Sequence, residues 1–153
     1  MENELYQEQG EDDTTKNKYL TFVIEDEIFG IDISQVIEII PVPAITWMPE
    51  NPEAIKGIIN LRGSIIPVID VRIRFNKQER PYDEFTCIII IEHENNQIGI
   101  IVDTVNEVLY IPKHLMSSPP NAKLKYQNKF IKAIGKMNEE VQLLLDLDKF
   151  LYC

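Results

Sequence analysis

The sequence predicts a mostly β fold: two small five-stranded barrels related by internal duplication, with short helices and an acidic N-terminal tail. Three observations carry this. Short runs of β-branched and aromatic residues recur between turn-forming residues. Helical periodicity sustained beyond a turn or two is scarce. Two stretches of the chain repeat in the same order. Halves of about 60 residues suit small closed barrels. Cores of that size are marginal alone, so the barrels are expected to share an apolar interface.

Residues 1–17 carry Glu2, Glu4, Glu8, Glu11, Asp12 and Asp13 and no base before Lys16. They bring too little apolar surface to offset their ordering entropy and read as a disordered tail. Residues 20–24 read as a strand, Glu25-Asp26-Glu27 as a polar turn, and residues 28–31 and 36–40 as further strands. Pro41, Pro43, Pro49 and Pro52 cannot donate to a ladder and mark a long irregular connection, with Trp47 as a loop or core anchor among them. Residues 55–61 and 64–75 read as a long hairpin closed at Asn60-Leu61-Arg62-Gly63, where Asn and Gly tolerate a turn's dihedrals. Residues 85–92, 97–102 and 105–111 complete the strands, and short helical pieces are expected at 51–55, 113–116 and 148–152.

The repeat is the most informative feature. Residues 28–40 laid over 97–109, an offset of 69, place Gly30 on Gly99, Val36 on Val105 and Glu38 on Glu107. At an offset of 76, Ile55-Lys56-Gly57-Ile58 falls on Ile131-Lys132-Ala133-Ile134, and Ile69-Asp70-Val71 on Leu145-Asp146-Leu147. The expected organisation is a tail over 1–17 and one folded domain over 18–153. Its first barrel covers about 18–80 and its second about 81–153, with strand exchange between halves allowed.

Net charge is −10, which argues against nucleic-acid binding and against adsorption to an anionic membrane. Six of the acids lie in the first 13 residues, leaving 15 bases against 19 acids, so the exclusion also rests on the lack of a clustered basic face. Cys87 and Cys153 are too few for a disulfide framework. The N-terminus lacks the basic and apolar regions of a signal peptide, and no apolar run approaches the roughly 20 residues of a spanning helix, so an intracellular soluble protein is expected.

Reactive groups are sparse. His93 and His114 are isolated in sequence and read as surface loop residues. Neither a metal-ligand motif, a phosphate loop nor a nucleophile elbow occurs. Cys87 heads an apolar run and reads as a buried inert thiol. Asp70 and Asp146 could form a carboxylate pair for hydrolysis, but their equivalence across the repeat favours satisfying backbone donors. No catalytic activity, cofactor or metal is expected.

The strongest local signal runs from Ile55-Lys56-Gly57 through Asn60-Leu61-Arg62-Gly63-Ser64 to Asp70-Val71-Arg72. The second half spells Lys136-Met137-Asn138-Glu139 at the equivalent turn, so the Asn-Leu-Arg-Gly sequence belongs to the first half alone. An arginine at such a turn offers a planar donor fork for partner recognition.

With residues 29–39 and 98–109, this segment resembles the CheW-type chemotaxis coupling proteins over about residues 19–151. The resemblance implies SH3-like barrels and a non-catalytic adaptor. Its partners would be the regulatory domain of the histidine kinase CheA and the helical cytoplasmic tip of chemoreceptors, at receptor clusters on the inner face of the membrane, without membrane insertion or nucleic acid. It places partner-contact or contact-supporting roles on Val36, Glu38, Gly57, Asn60, Arg62, Gly63, Val105 and Val108. The groove between barrels is the expected receptor site, with Gly57 and Gly63 shaping the turn. Rival readings are a CheW-like scaffold for a non-chemotaxis kinase pathway and an SH3-like RNA- or ribosome-binding module.

Overall fold

The computed structural model describes residues 15–48, 55–119 and 128–152. The tail before residue 15, residues 51–54 of the helical piece expected at 51–55, and Cys153 lie outside the described residues, while Ile55 begins a strand. Two antiparallel-rich sheets form, each with five longer strands and a two-residue sixth strand at one edge. Both are SH3-like barrels. The first six strands are β1 (Lys18–Ile24), β2 (Glu27–Asp32), β3 (Val36–Pro41), β4 (Thr46–Trp47), β5 (Ile55–Leu61) and β6 (Ser64–Asp70). A short helix α1 (Val71–Arg74) follows, then β7 (Cys87–His93), β8 (Asn96–Val102), β9 (Thr104–Tyr110), β10 (Met116–Ser117), β11 (Ile131–Met137), β12 (Glu140–Leu145) and α2 (Leu147–Tyr152).

The duplication is visible strand by strand. Adding 69 carries β1 onto β7, and adding 76 carries β5 onto β11. The sheets, however, are not the two halves of the chain. One sheet runs β3-β7-β8-β6-β5-β4 and is built from a contiguous stretch. The other runs β10-β11-β12-β2-β1-β9 and joins both ends of the chain. Each half has donated its first hairpin to the other half's sheet. The donated hairpins enter through parallel pairs, β2 against β12 and β8 against β6. A Cβ at Gly30 would press on Leu144 at 2.8 Å and one at Gly99 on Val68 at 2.8 Å, which accounts for the glycine shared by both repeats.

Exchange places β1, β2, β7 and β8 between two cores, and their sequences show it. In β7, Ile88 and Ile90 fill the contiguous barrel while Ile89 and Ile91 face the other sheet. A strand buried on both faces reads as an unbroken apolar run rather than an alternation. The shared core between sheets is the largest, and it includes five of the six phenylalanines. Phe75 sits at its centre, 5.1 Å from Phe29 and 5.7 Å from Phe130 between ring centroids. Each fully buried phenylalanine contributes about 1.5–3 kcal/mol from burial.

Three expectations need correction. The strand expected over 64–75 stops at Asp70, whose carboxylate accepts from the Arg72 amide at 2.9 Å and starts α1. The piece expected to be helical at 113–116 is a 3-10 turn over Lys113–Leu115. Trp47 is neither loop nor core anchor but lies on edge strand β4, 66% exposed. Asp146 repeats the Asp70 cap, accepting from the Lys149 amide at 3.3 Å.

The split barrel's interior holds a polar anomaly. Gln142 is fully buried, and neither its amide nitrogen nor its oxygen has a partner among the described residues. Its repeat equivalent is Ile66, part of the contiguous barrel's core. A buried group left unsatisfied costs about 1–3 kcal/mol. Gln142→Ile is therefore expected to raise the urea midpoint, by about 1 kcal/mol of stability with unchanged m-value. A lowered midpoint would show that the carboxamide is satisfied in solution.

Candidate protein-docking face

Edge strands β3 and β9 are repeat equivalents, and both carry a bulge. On β3 the register slips between Val36 and Glu38, and on β9 the slip lies opposite Leu20 and Phe22. Thr21 patches the second bulge: its hydroxyl donates to the Glu107 carbonyl at 2.6 Å and accepts from the Glu107 amide at 3.1 Å. Directly paired residues project to the same face of a sheet. Val36 pairs with Ile91 and Val105 with Phe22, so both valines pack on the rim of the shared core. One step outward, Ile39 pairs with Ile89 and Val108 with Leu20. Their partners are buried, yet Ile39 is 42% and Val108 48% exposed. The shared-core face thus continues past the packed residues into solvent at two repeat-related places, extended by exposed Tyr110 on β9. Exposed apolar surface contiguous with a core marks an interaction face.

Ile39 escaped the sequence reading because Val-Ile-Glu-Ile-Ile is apolar on both faces. The 69-residue offset that carries Ile39 onto Val108 was the signal that could have found it.

On the other face of β3, where Glu38 pairs with Ile90, the β5–β6 turn brings four of the expected residues together. Arg62 (φ 51°) and Gly63 (φ 89°) both adopt left-handed conformations, as a two-residue hairpin turn requires. Asn60 stays in β5, and its side chain accepts from the Gly63 amide at 2.9 Å, holding the turn from outside. Arg62 forms an ion pair with Glu38, and its side chain remains 69% exposed. In the sheet order β3 and β5 lie near opposite ends, so this pair spans the seam where the barrel curls on itself.

Gly57 stands apart from the turn. It is buried in β5 opposite Trp47, and a Cβ there would run into the Thr46 carbonyl oxygen. Its role is to admit β4, not to shape the turn. Of the eight expected residues, then, Glu38, Asn60, Arg62 and Gly63 form one cluster. Val36 and Val105 sit on the shared-core rim, Val108 lies beyond it, and Gly57 supports the edge.

Two features flank this face without joining it. Cys87 is half-buried, its thiol held above the ordinary value by burial and donating to the Phe85 carbonyl at 3.3 Å. Arg72 and Asp103 form a buried bidentate pair, at 2.8 and 2.6 Å, where the chain crosses from β8 to β9. Burial alone would raise the Asp103 carboxyl. The Arg72 hydrogen bonds and one from the Glu25 amide at 2.9 Å outweigh it and hold the group below the ordinary carboxylate range. Among the described residues no helix is long and apolar enough to cross a membrane.

Comparison with known proteins gives this architecture its context. The family model described as the CheW-like domain matches residues 18–152. The chemotaxis protein CheW of Klebsiella aerogenes is 33% identical over 91% of this chain and 84% of its own length. That of Bacillus subtilis is 31% identical over 90% and 88%. The crystal structure of the scaffolding protein TtCheW from Thermoanaerobacter tengcongensis superposes with a TM-score of 0.83 at 36% identity, covering 90% of this chain and 93% of that one. With its paired barrels, shared core and a family match over residues 18–152, the chain belongs to the CheW-like family.

Proposed function

We propose that this chain is a non-catalytic adaptor that couples methyl-accepting chemoreceptors to the histidine kinase CheA, working in the cytoplasm at receptor clusters. The observation that carries this reading is the apolar face left open at Ile39 and Val108, with the Arg62 guanidinium exposed at the neighbouring turn. A helical tip carrying an apolar stripe and rim carboxylates would match such a face. An arginine already oriented by Glu38 can pair a partner carboxylate with little added ordering. Family membership and the likeness to a scaffolding protein support the adaptor role.

Titration against a receptor cytoplasmic-tip fragment and against the CheA regulatory domain tests the proposal. Arg62→Glu, which sets a second carboxylate beside that of Glu38, is expected to weaken receptor-tip binding about 10-fold or more, with unchanged circular dichroism. Receptor affinity equal to wild type would remove Arg62 from the interface. Failure to bind either fragment would move the chain to a different kinase pathway.

A further inference from the structure

The two chain crossovers between sheets are equivalent, but they are held differently. At the first, the guanidinium of Arg72 on α1 lies between Asp103 of the β8–β9 crossover and Glu25 of the β1–β2 turn, at 2.6 and 3.6 Å. The repeat carries Glu25 onto Glu94, with φ of 55° and 52°, and Arg72 onto Asp148. At the second crossover, where the chain passes from β2 to β3, the acidic turn residue is therefore kept while the cation on the helix has become another acid. His93 joins them. Its Nδ1 lies 3.1 Å from the Gln35 amide oxygen and its Nε2 2.6 Å from an Asp148 carboxylate oxygen.

We propose that His93, Glu94 and Asp148 bind a divalent transition-metal ion of the zinc or nickel type. The donor atoms of all three lie within 4.8 Å of one another. A tetrahedral set with bonds of about 2.0–2.2 Å puts donor atoms about 3.4 Å apart, so the more distant ligands must draw in by up to roughly 1.4 Å. The exposed Glu94 and Asp148 side chains can rotate to supply that. An amide oxygen only accepts, so the Gln35 contact assigns the proton to Nδ1 and turns the Nε2 lone pair toward Asp148. Without an ion a proton closes that 2.6 Å contact, and the ion would displace it as the two atoms part to about 3.4 Å. One imidazole with two carboxylates suits zinc or nickel better than calcium or magnesium. A cavity of about 290 Å³ adjoins the cluster, lined by Asp32, Gln35, Lys132 and Asp146 as well as His93 and Asp148, and it has room for water to complete the coordination. Lys132 is the opposing charge there, outnumbered by the acids. The ion would join β7 to α2, fastening the second crossover as Arg72 fastens the first. No local motif announces the site, because His93 and Asp148 are 55 residues apart.

The test is calorimetric titration of the full chain, free of any polyhistidine tag, with Zn²⁺ alone. Saturable one-to-one binding is expected, accompanied by a rise in melting temperature. His93→Gln and Glu94→Gln should each weaken binding about 10-fold or more, while His114→Gln and Cys87→Ser leave it unchanged. Glu94 is exposed, so Glu94→Gln reports on the site even if His93→Gln disturbs the fold. Absence of saturable binding, or binding untouched by Glu94→Gln, would overturn the proposal. In the first case a proton alone bridges His93 and Asp148, and in the second the ion sits elsewhere.

Discussion

Asp103→Ala is expected to lower the free energy of unfolding by about 3 kcal/mol, the low end of what removing one partner from a buried ion pair costs. Asp103 accepts two bonds from the Arg72 guanidinium and one from the Glu25 amide. Without it the guanidinium keeps the Gln78 carbonyl at 3.0 Å and a more distant Glu25. The low end applies because Glu25 and Arg80 at the edge of the cluster are 44% and 41% exposed, so the site is partly open to solvent. The effect also has a pH signature. Asp103 is depressed in the folded state, so its contribution is complete above the unfolded carboxylate value near 4 and is lost as pH falls through the lower folded value. Urea melts should show wild type and Asp103→Ala converging in acid. A gap constant from pH 7 to pH 3 would mean that the carboxylate charge is not what holds the crossover.

Gly57→Ala is expected to cost about as much, roughly 3 kcal/mol, at the upper end of overpacking penalties. The added methyl meets the Thr46 backbone oxygen, and Ile45 Cγ2 lies 2.9 Å away, so backbone rather than a flexible side chain must move. The element that can give way is β4, only two residues long and at the sheet edge. Trp47, the sole tryptophan, pairs with Gly57 and reports on it directly. Its fluorescence anisotropy should fall in the variant. Unchanged stability and anisotropy, with partner binding lost, would make Gly57 a contact rather than a support.

How much the sequence disclosed depended on the range of the interaction. Strands such as β7 and β8 were legible because β-branched runs between turns are local, and the duplication because Gly30 and Gly99 perform the same packing task. The helix α1 was not legible: four residues give no periodicity, and only the Asp70 cap announces it. The hairpin exchange could be allowed for but not assigned, since a repeat shows which strands are equivalent and not which copy each one pairs with. Resemblance brought out Glu38 and Arg62, but their mutual ion pair needs the curled sheet. Ile39 went unseen because burial, not residue type, distinguishes it from Ile40. His93 did not remain an isolated loop residue, because Gln35 and Asp148 reach it from opposite ends of the chain.

The hairpin exchange also sets an order of events during synthesis. The sheet of β3 to β8 is complete once residue 102 is available. The N-terminal hairpin, first to leave the ribosome, pairs with β12 only when Gln142 can meet Ile28, almost the whole chain later. Until then the hairpin's other face, with Tyr19, lacks the Leu144 side chain it packs against. Contacts of such sequence separation are slow to form and leave apolar surface open to association. The nascent chain is therefore most vulnerable at its oldest end, and a ribosome-associated chaperone would find its binding segment there rather than at the growing terminus.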